Sequence, residues 1–69
     1  MVTVEVNDSH GGYIRGTKEI VTGMVKIDIF NPHNNEEDHY LMDPSEKEVK
    51  DWLKKVFQPI HLEILLGEA

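Results

Sequence analysis

At 69 residues, with a net charge of −6 and no cysteine, the chain has the size of one small domain, residues 1–69, with a thin hydrophobic core. These numbers exclude a disulfide framework and a zinc–thiolate cluster, and no apolar run approaches the roughly 20 residues of a membrane span. The acidic balance argues against direct nucleic-acid binding and favours a partner with a basic surface.

The chain opens on Val2, Val4 and Val6 alternating with Thr3, Glu5 and Asn7, which predicts a strand with one buried face. This stretch lacks the basic and apolar regions of a signal peptide, so a cytoplasmic location is expected. On that expectation the sequon Asn7-Asp8-Ser9 is a chance match. The turn formers of residues 7–12 end the strand.

Residues 18–30 read as one long strand bent near Gly23, or two strands meeting there, with Val25, Ile27 and Ile29 on one face. Asn31-Pro32 stops it, because proline lacks the ladder donor. "NPHNNEED" (residues 31–38) then reads as a hairpin loop, and His39-Tyr40-Leu41-Met42 as a short return strand.

"DPSEKEVKDWLKKVFQP" carries the clearest periodicity. Val49, Trp52, Leu53, Val56 and Phe57 form the apolar stripe of a helix, with Trp52 in the core. Two caps are available: Asp43 ahead of Pro44, or Ser45 with Glu48 as a capping box. Pro59 bars continuation. Ile60, Leu62, Ile64 and Leu66 alternate with His61, Glu63 and Leu65, which predicts a last strand.

The expected fold is α+β: a small, mostly antiparallel sheet in the order β-β-β-α-β, with one amphipathic helix packed on one face. The core would combine the helix stripe with Val2, Val4, Val6, Val25, Ile27, Ile29, Leu41, Ile60, Leu62, Ile64 and Leu66. The opposite face would carry Thr3, Glu5, Met24, Lys26, Asp28, Phe30, Tyr40, His61, Glu63 and Leu65. There, Met24, Phe30, Tyr40 and Leu65 would form an apolar patch unless the sheet curls into a small barrel.

Three features are candidates for chemistry. His33 and His39 flank Glu36, Glu37 and Asp38, but the spacing matches neither an EF-hand nor H-E-x-x-H, so no metal is expected. Residues 11–18, "GGYIRGTK", miss the phosphate-loop pattern because Thr17-Lys18 are reversed and strand residues follow. What remains is an anion-binding nest of Gly11 and Gly12 with Arg15 and Lys18. The four histidines form no nucleophile–base–orienter set by spacing, and a chain this small has little room for a catalytic cleft. No enzymatic activity and no cofactor are expected.

Residues 31–43 hold Glu36, Glu37, Asp38 and Asp43 and no lysine or arginine, so they carry −4 of the net −6. This concentration leads to the main functional expectation: a non-catalytic protein-binding module, an acidic inhibitor or adaptor docking on a basic partner. Glu36, Glu37, Asp38 and Asp43 would supply the charge, and Phe30, Tyr40 and Met42 an apolar centre. Small accessory proteins of phages and mobile elements fit this profile. The alternative is an oligomeric protein that sequesters or senses an anionic ligand, a nucleotide or metabolite, at Gly11, Gly12, Arg15 and Lys18. A third reading is a structural subunit of a homo-oligomer, whose exposed sheet face or edge strand pairs with a copy of itself.

Overall fold

The computed structural model describes residues 2–66. Four strands come first: β1 (Val2–Asn7), β2 (Tyr13–Lys18), β3 (Val25–Asn31) and β4 (Glu36–Met42). Two helices follow, α1 (Lys47–Val56) and α2 (Pro59–Leu66). The strands form one antiparallel sheet in chain order, so among the described residues β1 and β4 are its two edges. No helix of the described residues is long and apolar enough to cross a membrane.

The register sorts the side chains. Val4, Gly16, Ile27 and Tyr40 lie opposite one another in one row, and Val6, Ile14, Ile29 and Asp38 in a parallel row on the same face. The rows between them point to the other face and include Glu5, Arg15, Asp28 and His39. The helices lie on the first face. Val4, Val25 and Ile27 bury against Leu53 of α1, Phe57 beyond its end and Leu65 of α2. Trp52 is partly buried against this cluster.

The order is therefore β-β-β-β-α-α, which corrects the expected β-β-β-α-β. The last segment is a helix. Pro59 ends α1 but suits the first turn of a new helix, where its missing N–H is no loss. The Gln58 carbonyl accepts from the N–H groups of His61 and Leu62 to close that turn. Leu65, expected on the polar side of a strand, is fully buried, whereas Ile60 and Ile64, expected in the core, are exposed.

The long strand over residues 18–30 is also corrected. Lys18 ends β2, and a turn over residues 19–24 leads into β3, closed by Glu19 N–H to Met24 O and Gly23 N–H to Glu19 O. Gly23 has φ 74°, a left-handed conformation that glycine adopts without cost. Ile20 and Val21 sit at the tip of this turn, 74% and 98% exposed.

Neither expected helix cap forms. The residue before α1 is Glu46, which makes no side-chain cap. The Asp43 carboxylate instead accepts from both the N–H and the hydroxyl of Ser45, fixing the turn before the helix.

Candidate functional site: the acidic edge strand

The β3–β4 connection is shorter than "NPHNNEED" suggests. Only residues 32–35 turn. Asn31 Oδ1 accepts from His33 N–H at 3.0 Å, and Asn34 Oδ1 from Glu36 N–H at 3.1 Å. Asn35 takes the left-handed conformation, φ 55°. These Asx contacts begin β4 at Glu36, so Glu36, Glu37 and Asp38 are strand residues, not loop residues.

β4 is hydrogen-bonded on one side to β3 and, among the described residues, pairs with no strand on the other. Its first half is acidic and its second half apolar. Glu36, Asp38, Tyr40 and Met42 alternate onto the helix side, and Glu37, His39 and Leu41 onto the open face. The helices do not cover this end of the helix side. Tyr40 is 48% exposed although it shares a row with fully buried Ile27. Leu41, expected in the core, is 61% exposed on the open face, and Tyr40, expected opposite, lies on the helix side.

The open face holds a connected polar row. Arg15 donates from Nε and Nη2 to Glu5 Oε1 at 3.0 and 2.9 Å, and its guanidinium lies 4.6 Å from the centre of the Tyr13 ring. Bonding to Arg15 holds the Glu5 carboxyl below its usual range, with Asn7 assisting, and Glu5 in turn raises Arg15. Asp28 is buried beside this pair, with His39 Nδ1 2.6 Å from its Oδ1. The ring thus donates from Nδ1, and Nε2 faces Glu37 Oε1 at 3.6 Å. Tyr13 stacks on Phe30 at 5.5 Å and reaches Glu37 through its hydroxyl at 3.4 Å.

The expected site residues separate by this geometry. Phe30 belongs to the open face, whereas Tyr40 and Met42 alternate onto the other, so the three do not form one apolar centre. Asp43 lies past the far end of a seven-residue strand, about 23 Å from Glu36 at the usual rise. Met24 is outside the strands, and Leu65 is in the core. Gly11 and Gly12 lie in the β1–β2 turn, where Asp8 Oδ1 accepts from the N–H groups of His10 and Gly12. Those bonds hold the Asp8 carboxyl below its usual range. Arg15 and Lys18, three apart on β2, point to opposite faces and do not converge.

His33 sits in the turn near His10, with ring centres 5.8 Å apart, and His39 is held by Asp28. Among the described residues no group of three or more His, Asp or Glu converges as a metal site. The Asp28–His39 pair escaped the sequence reading because it depends on the β3–β4 register, which a separation of eleven positions in the chain does not reveal. No family model, no curated protein and no solved structure matches the chain.

Proposed function

We propose that the chain is a non-catalytic protein-binding module that docks through β4 on a basic surface of another protein, as an inhibitor or adaptor. The observation that carries this reading is the makeup of β4: three consecutive exposed acids on a free edge, followed by exposed Tyr40 and Leu41. Edge strands are open to pairing with other chains, and acidic side chains discourage self-pairing while admitting a cationic partner. Charge would speed encounter, and Tyr40, exposed on the same side of β4 as Glu36 and Asp38, would supply binding energy after contact. A cationic groove that ordinarily holds phosphate is the kind of surface this strand complements.

Affinity capture from the source cells with wild type and E36Q/E37Q/D38N tests the reading. The expected wild-type capture is a basic protein that is released as salt rises and is lost with the variant. Capture of the same proteins with the same salt response by both forms would contradict it.

A further inference from the structure

We infer that the cleft between the β1–β2 and β3–β4 turns is an anchor site for one bulky apolar side chain, presented in a lysine- or arginine-rich segment of a protein partner. This rests on the docking reading above and names what the partner inserts.

The cleft has a volume of about 290 Å³ and is open to solvent on one side. Its floor is Val6, Ile14 and Ile29, one row of the helix side beyond the buried cluster of Val4, Ile27 and Leu65. Pro32, Asp8 and His33 help to wall it, and no lysine or arginine lines it. Small-molecule sites run from about 300 Å³ upward. This volume is at the bottom of that range and suits one side chain better than a whole ligand.

Both walls are fixed in advance. Asp8 ties down the first turn through His10 and Gly12, and Asn31 and Asn34 tie down the second. The two turns also touch: a Cβ on Gly12 would lie 3.1 Å from both the Phe30 carbonyl oxygen and Pro32 Cδ. Walls already held by hydrogen bonds within each turn need less ordering when the cleft is filled.

Charge selects the occupant. The floor row continues across the sheet into Asp38, Glu36 follows on the same side of β4, and Asp8 stands in the wall. Backbone donors favour the ionised form of Asp8. An apolar floor flanked by carboxylates fits a buried anchor with cationic neighbours and repels one with acidic neighbours.

The test is an NMR titration of the ¹⁵N-labelled full chain with acetyl-Lys-Lys-Trp-Lys-Lys-amide. Its Trp→Ala form, its Lys→Glu form and free tryptamine serve as comparisons. The tryptophan peptide is expected to shift the amides of Val6, Ile14 and Ile29 and to bind about tenfold tighter than the alanine form. The glutamate form is expected not to bind. In E36Q/E37Q/D38N both lysine peptides weaken while the tryptophan preference survives, which separates the anchor from the charge.

Affinities of the tryptophan and alanine peptides within about twofold of each other would overturn the inference and leave acidic docking intact. Binding of tryptamine as tight as the peptide would overturn it in favour of a small-molecule site. Shifts that appear on raising protein concentration without peptide would do so in favour of a second copy of the chain.

Discussion

Gly16 sets how closely the helices approach the sheet. A Cβ there would sit 3.0 Å from Leu65 Cδ1 and 3.2 Å from Phe57 Cζ, so two core side chains occupy the space of a side chain. Gly16→Val overpacks this contact and should cost about 1–3 kcal/mol. Urea unfolding would show a lower midpoint at unchanged slope, and an unchanged midpoint would contradict the packing described.

His61 presents the opposite case. Its Nδ1 is buried without a hydrogen-bond partner among the described residues. Leaving a polar atom unpaired typically costs about 1–3 kcal/mol, so His61→Leu should raise stability toward that amount in the same assay. Destabilisation would mean that the ring nitrogen has a partner.

Carboxylates give the pH dependence. Glu5, Asp8 and Asp43 are held below their ordinary values of 4.5, 3.8 and 3.8 by Arg15, by backbone N–H groups and by Ser45 respectively. Their contribution is complete above those ordinary values and is lost as pH falls through the lower folded values. Carbon-detected NMR titration should put the Asp8 midpoint below 3.8. A midpoint at or above it would remove the Asx turn as the cause.

At the scale of elements, the sequence was legible wherever one period dominated. Val2, Val4 and Val6 admit only a strand, and Val49, Trp52, Leu53, Val56 and Phe57 only a helix. Residues 60–66 admit both, because Ile60, Leu62, Ile64, Leu65 and Leu66 are apolar under either period. Burial of Leu65 over Gly16 decides for the helix. The turn at residues 19–24 was hidden by Ile20 and Val21, β-branched residues that sit at its exposed tip.

In β4, Leu41 and Tyr40 exchanged faces because a strand's burial pattern inverts with a one-residue change of register. The acidic character of the candidate site was legible from residues 36–38, but its placement on a strand rather than a loop depended on the Asn31 and Asn34 contacts. The two readings of residues 60–66 predict opposite mutational patterns. In the helix, Leu65→Ala should cost about 2–5 kcal/mol, and Ile60→Ala should stay within about 0.5 kcal/mol. The strand reading reverses that order, so thermal unfolding of the two variants distinguishes them.

Across the whole molecule, charge and apolar surface are unevenly arranged. Glu36, Glu37 and Asp38 gather beside the turn that shares the cleft, whereas Ile20 and Val21 project from the opposite end of the sheet. A charge distribution of this kind acts on encounter more than on the bound state. At physiological salt the screening length is about 8 Å, so its influence should fade as ionic strength rises. Acidic docking through β4 is therefore tested by the rate of association with a partner captured as above, followed by stopped flow from low to high salt. The wild-type rate is expected to fall steeply with salt, and E36Q/E37Q/D38N is expected to associate slowly at every salt concentration. Equal association rates with the same salt dependence for both proteins would contradict it.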